Sequence, residues 1–254
     1  MSLLKINNMS MNYHSIKGET KALENVNFEV EKGDFISILG PSGCGKSTLL
    51  NIISGLLEPS SGEALYNGDN IKEHLNKIGY MFQKDHLFEW YTVWENVTLG
   101  LNIKKQLNEK TKKNINNLLE TYGLSKFKEH YPSELSGGMR QRVALIRTLA
   151  LNPEILFLDE PFSALDYQSR LLVCDDVYKI IKHEKKTAIM VTHDIAEAIS
   201  MSQKIIVLTK RPATVKRKVE ITFSVDDLTP FEKRKQPEFS GYFNELWKEL
   251  NNDD

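Results

Sequence analysis

Phe35-Ile36-Ser37-Ile38-Leu39-Gly40-Pro41-Ser42-Gly43-Cys44-Gly45-Lys46-Ser47 reads as a buried strand running into a glycine-rich loop and then a helix. Its last eight residues match G-x-x-x-x-G-K-[ST], a pattern that needs that strand–loop–helix setting to act. Glycine spacing lets consecutive backbone N–H groups curl around phosphate oxygens. A helix opening at Lys46 turns the positive end of its dipole toward the same anion. Lys46 is expected to reach the β- and γ-phosphates of a nucleotide, and Ser47 to hold Mg²⁺. Cys44 lies among those N–H donors and beside Lys46, so some thiolate character and reactivity toward alkylating reagents are expected of it.

Outward from the loop, residues before 35 alternate apolar and polar (Leu4, Ile6; Val26, Phe28, Val30), the period of half-buried strands. A helix is expected over residues 46–57, then a Pro59-Ser60-Ser61-Gly62 turn and strands near 63–66 and 77–82. Between about 84 and 152 the texture is mainly helical, clearest at 109–122 and 137–151. Beyond it short β runs alternate with helices: 155–158, 170–183, 187–191, 194–201 and 204–208. Such alternation implies an α/β fold with a mainly parallel sheet and helices on its faces. The helical middle reads as an insertion into that core.

Ile155-Leu156-Phe157-Leu158-Asp159-Glu160 is an apolar strand that ends in two carboxylates. Alone it would be a solvated strand end. Behind a phosphate loop, it places Asp159 near Ser47 and the metal, and Glu160 where it can polarise an attacking water.

Leu135-Ser136-Gly137-Gly138-Met139-Arg140-Gln141-Arg142 opens another helix with an anion-binding end. Two such ends in one chain make sense if the second serves a partner's nucleotide. The string resembles the signature motif of ATP-binding cassette (ABC) ATPases, and the companion motifs follow in order. Gln83 matches the Q-loop glutamine, Asp166 in Ser163-Ala164-Leu165-Asp166 the D-loop, His193 the switch histidine, and Tyr13 the aromatic that stacks on adenine.

The resemblance covers residues 1 to about 220. It implies a P-loop NTPase core with an N-terminal antiparallel β subdomain and an inserted helical signature subdomain. It also implies ATP and Mg²⁺, with Gly40, Pro41, Ser42, Gly43, Cys44, Gly45, Lys46, Ser47 and Thr48 around the nucleotide. Ser47, Gln83 and Asp159 would hold the metal, and Glu160, His193, Gln83 and Lys46 would serve catalysis. In this family two subunits pack head to tail, so Ser136, Gly137, Gly138 and Asp166 would act on the partner's ATP in a homodimer active at both sites.

Composition sets the outer limits. The 254 residues carry 33 Lys plus Arg against 34 Asp plus Glu, which supplies no electrostatic reason for a nucleic-acid partner. Runs such as Lys104-Lys105 read as solvated faces. Two cysteines suit a reducing compartment and no disulfide framework. The apolar runs are strand-sized, and Met1-Ser2-Leu3-Leu4-Lys5 lacks the form of a signal peptide. Any membrane role must come through a partner chain, with this one at the cytoplasmic face of the membrane.

Three features resemble the nitrate/sulfonate/taurine importer group within the family: Met139-Arg140-Gln141-Arg142, the aromatic segment from His86 to Val97, and Val207-Leu208-Thr209-Lys210-Arg211-Pro212. The aromatic segment departs from the group, with Glu89-Trp90-Tyr91 where Pro-Trp-Leu is usual. The resemblance implies permease partners and an extracytoplasmic substrate-binding protein, and these other chains would choose the cargo. An exporter ATPase or a soluble remodelling ATPase is the alternative. An ATPase domain over 1–222 is followed by a tail, 223–254, where Tyr242, Phe243, Leu246, Trp247 and Leu250 recur at helical spacing. That amphipathic helix is expected to dock on its own ATPase domain.

Overall fold

The computed structural model describes residues 2–16 and 18–251. In chain order the elements are β1 (Ser2–Ser15), β2 (Gly18–Glu31), β3 (Phe35–Leu39), α1 (Lys46–Ile53), β4 (Ser61–Tyr66), β5 (Asp69–Asn70) and β6 (Ile78–Met81). A helical stretch follows: α2 (Val93–Ile103), α3 (Glu109–Thr121) and α4 (Gly137–Leu149). The chain continues with β7 (Ile155–Asp159), α5 (Tyr167–His183), β8 (Thr187–Thr192), α6 (Ile195–Met201), β9 (Lys204–Leu208) and β10 (Val215–Glu220). The tail holds α7 (Pro230–Lys233) and α8 (Pro237–Asn251).

Two sheets form. The smaller is antiparallel, in the order β2-β1-β4-β5; the larger runs β10-β9-β3-β8-β7-β6 and is parallel except for β10. The parallel register decides where the site lies. Leu39 pairs with Thr192, Asp159 with Val191, and Met81 with Leu158. The carboxyl ends of β3, β6, β7 and β8 therefore share one edge, where open α/β sheets bind ligands.

Strands covered on both faces need unbroken apolar runs, and β7 shows the division residue by residue. Ile155 and Phe157 join the core under the small sheet, with Leu4, Ile6, Val26 and Phe28. Leu156 and Leu158 join the opposite core with α4, α5 and the helical subdomain. A third cluster sets α6 and α8 against β9, with Leu246 fully buried in it.

Several boundaries differ from the sequence reading, each for a local reason. α1 stops at Ile53, short of 57, because the amides of Leu56 and Leu57 both turn back to the Asn51 carbonyl (2.9 and 3.1 Å). α5 starts at Tyr167 rather than 170, because the Asp166 carboxylate accepts the Ser169 amide at 3.0 Å and caps the helix there. β10 was not anticipated; its run Val-Lys-Arg-Lys-Val-Glu is too polar to read as a strand, and hydrogen bonding to β9 makes it one. In the tail, Arg217 on β10 pairs with Glu245 and, at 3.0 Å, with Glu249 of α8. Residues 252–254 of the expected tail lie outside the described residues.

Candidate functional site

The phosphate loop leaves β3 and enters α1 through Gly45, whose φ of 127° no L side chain adopts comfortably. A Cβ there would also sit 3.0 Å from the Ala22 carbonyl oxygen. Lys46 is buried, and its ammonium donates to the carbonyl oxygens of Gly40 (2.8 Å) and Pro41 (2.9 Å). The loop is thus wrapped around its own lysine.

Beside it, the Ser47 hydroxyl donates to Asp159 Oδ1 at 2.9 Å. The Tyr80 hydroxyl lies 3.2 Å from Asp159 Oδ2 and 2.9 Å from Asn51 Oδ1. Burial pushes the Asp159 carboxyl above the usual range, and the adjacent Glu160 charge adds to the shift against the donors Ser47 and Tyr80. A half-buried carboxylate next to a serine hydroxyl is a hard-oxygen donor pair suited to Mg²⁺. Among the described residues, no group of three or more His, Cys, Asp or Glu could hold a metal by itself. Mg²⁺ held by Ser47 and Asp159 would draw further oxygens from nucleotide phosphates and water, as this ion commonly does.

At the mouth of the edge, Glu160 takes a φ of 44°, unusual for a residue with a side chain, while its amide donates to the Val191 carbonyl at 2.9 Å. Its Oε2 is 3.2 Å from His193 Nδ1 and accepts from Gln83 Nε2 at 3.4 Å. Gln83 also donates to the Ser163 hydroxyl at 3.2 Å. Ser47 and Asp159 form one bonded pair, with Lys46 near enough to act electrostatically on Asp159, and Gln83, Glu160 and His193 form another set immediately beside it. Tyr13 is 41% exposed, with its hydroxyl 3.2 Å from Thr48 Oγ1, on the approach to α1.

Ser136, Gly137 and Gly138 stand elsewhere. Ser136 caps α4 by accepting the Met139 amide at 3.3 Å. α4 runs so close to the next elements that a Cβ on Gly138 would meet Val173 at 2.8 Å. Asp166 is fully exposed at the head of α5. Among the described residues, no hydrogen bond or ion pair joins Ser136, Gly137, Gly138 or Asp166 to the phosphate loop. Within one chain the second helix end is thus not joined to the phosphate loop.

The reactivity expected of Cys44 is overturned. Its thiol is 2% exposed, and burial raises its pKa against the pull of Lys46 and the backbone amides. Four further residues belong to the site without having been singled out. They are Tyr80 and Asn51 behind Asp159, Arg211, which donates to the Gly43 carbonyl at 2.6 Å, and Arg170. Arg170 donates to the Leu165 carbonyl at 3.1 Å and lies 3.4 Å from Asp194, tying the Asp166 loop to the His193 turn. Tyr80, an aromatic hydroxyl on the half-buried edge strand β6, is the one that left a signal in the sequence.

Residues 23–163 match the protein family described as ABC transporter. The chain belongs to the ABC transporter ATPases. An uncharacterized ABC transporter ATP-binding protein of Bacillus subtilis, YtlC, is 50% identical over 253 residues, which span 99% of this chain and 96% of that protein. The taurine import ATP-binding protein TauB of Roseobacter denitrificans is 42% identical, covering 94% of this chain and 90% of its own length. Among solved structures, a dimeric post-hydrolysis state of the ATP-binding cassette MJ0796 bound to ADP and Pi has a TM-score of 0.73 at 34% identity, covering 87% of this chain and 99% of that one. The ABC fold and the ATPase activity coupled to transport follow from this membership. No helix among the described residues is long and apolar enough to cross a membrane.

Proposed function

We propose that this ABC ATPase is the motor of an importer for a small organic or inorganic anion or a related nutrient. It would dimerise on ATP at the cytoplasmic face of the membrane, bound to permease subunits that receive cargo from an extracytoplasmic binding protein. The ATPase body is residues 1–222, with the helical subdomain at about 84–152 and the tail at 223–254. Support for import comes from relatives named for taurine and, at 42% identity, aliphatic sulfonates. Support for the dimer comes from the similarity to a dimeric cassette and from a second glycine-rich helix start that no hydrogen bond joins to the phosphate loop of its own chain.

In this reading Lys46 releases its loop carbonyls to grip the β- and γ-phosphates, and the loop amides take up the remaining oxygens. Ser47, Gln83 and Asp159 would hold Mg²⁺, and the ion would neutralise phosphate charge. Glu160 orients and deprotonates the attacking water, while His193 and Gln83 fix its carboxylate and report on the γ-phosphate. Tyr13 stacks on adenine. Ser136, Gly137, Gly138 and Asp166 close over the partner's nucleotide, so phosphate loss opens the dimer.

The observation that carries the reading is the convergence of Lys46, Ser47–Asp159 and Gln83–Glu160–His193 on one sheet edge. Glu160→Gln should retain ATP binding, slow hydrolysis roughly 10²–10⁴-fold and accumulate as an ATP-bound dimer in gel filtration. Near-normal turnover by that variant would remove Glu160 from its role.

A further inference from the structure

At the opposite end of β3 from the phosphate loop, a cavity of about 590 Å³ opens in the seam between the ATPase body and its tail. The length of β3, about 13 Å, separates the two places. Phe35, Tyr178 and Phe223 supply aromatic walls, and Ile181, Ile221 and Leu228 apolar ones. Lys182, Lys185, Lys186 and Lys233 also line it, against two acids, Asp226 and Asp227. Its volume falls within the range of small-molecule sites.

The odd member is Lys233. It is 8% exposed, yet among the described residues its ammonium meets no carboxylate. Its contacts are the rings of Tyr178 (4.9 Å to the centroid) and Phe223 (5.9 Å). Asp227 is engaged by Lys182 at 2.7 Å, and Asp175 accepts the Phe231 amide at 2.7 Å. Lys182 is the charge that acts on Lys233, and it repels. The Lys233 stem is buried while its ammonium opens on the cavity, so a cation with aromatic neighbours and no carboxylate faces the cavity interior.

We propose that this cavity binds a small aromatic anion, its ring among Phe35, Tyr178 and Phe223 and its carboxylate or sulfonate on Lys233. Such a ligand bridges the tail to α5 and to the start of β3. The proposal is independent of the transport reading.

The test titrates the full-length chain with benzoate, benzenesulfonate and neutral benzamide by calorimetry at pH 7, with saturating ADP to occupy the nucleotide site. At least one anion should bind with a Kd below about 1 mM, and benzamide at least ten-fold more weakly. Lys233→Met, which keeps the apolar stem on Tyr178, should weaken the anion ten-fold or more and leave benzamide unchanged. Val225→Trp alters a half-exposed lining residue and should crowd the cavity and weaken binding of all three. Failure of both anions on the wild type, equal binding by benzamide, or unchanged anion binding by Lys233→Met overturns the proposal. Should Lys233→Met fail to fold, Val225→Trp decides, and undiminished anion binding there overturns it too.

Discussion

Single residues in this chain are set by burial as much as by their neighbours in sequence. Cys44 shows it: the amides and lysine around it favour a thiolate, but a thiol with almost no exposure is held protonated and out of reach. Maleimide at neutral pH should therefore leave the native ATPase active over a time in which urea-unfolded protein is fully labelled at Cys44 and Cys174. Rapid inactivation that ATP prevents would mean the loop opens far more than its packing suggests. Lys233 obeys the same rule with opposite sign. Burial, helped by Lys182, pushes its pKa down to about 8, below the ordinary 10.5. Between those values the unfolded chain binds more protons than the folded one, so this group's contribution to stability rises with pH. The penalty is fully present below about 8 and fades toward 10.5. Without a ligand, Lys233→Met should be more stable than wild type by about 2–3 kcal/mol at pH 7. That advantage should shrink at pH 9.5, as read from urea midpoints at the two values; an advantage that grows with pH would refute it.

At the scale of elements, the segment between β6 and α2 divides its apolar side chains by job. Leu87 is buried and Trp94 packs against the helical core, so these two serve the fold. Trp90 is 69% exposed, Phe88 is partly exposed, and their rings stand 5.2 Å apart with Tyr91 alongside. Buried Asn96 holds the loop in place: it accepts the Phe88 amide at 2.9 Å, and its own amide lies 3.0–3.1 Å from the carbonyls of Phe88, Tyr91 and Thr92. Arg140 on the helix that Ser136 opens grips Asp85 (2.7 and 3.0 Å) and Glu89 (2.7 Å) of the same segment. Asp85, two residues beyond Gln83, and Glu89, next to the exposed rings, are thus tied to the same helix. An exposed aromatic patch on a rigid loop is what a helix-binding socket needs. Trp90→Ala or Tyr91→Ala should weaken binding to the permease by about 2 kcal/mol in a pull-down, with basal phosphate release unchanged. Undiminished capture, or aggregation with lost activity, would return these rings to the fold alone.

For the whole molecule, the tail acts as a third layer rather than an appendage. α8 presents Leu246, fully buried, to Ile195, Ile199 and Ile205, while Trp247 stays 56% exposed and stacks on Phe243. Leu246→Ala should cost about 3 kcal/mol, within the range of buried leucine truncations, measured by urea unfolding. A loss under about 1 kcal/mol would mean that α8 is only loosely held.

What the sequence determined by itself was the set of local motifs and their order along the chain. The phosphate loop, the acidic end of β7, the Ser136-Gly137-Gly138 helix start and the α/β alternation are local patterns, dictated by backbone conformation and by which faces must be apolar. These needed no knowledge of the fold. Tertiary structure alone decided which strand ends share an edge, because parallel register, not sequence distance, brings Gln83, Glu160 and His193 together. It alone recruited Arg170, Arg211 and Tyr80, whose roles depend on partners far away in the chain. It also reversed the expectation for Cys44 and left Lys233 without a counter-charge, since desolvation depends on what packs around a group and no local pattern records that.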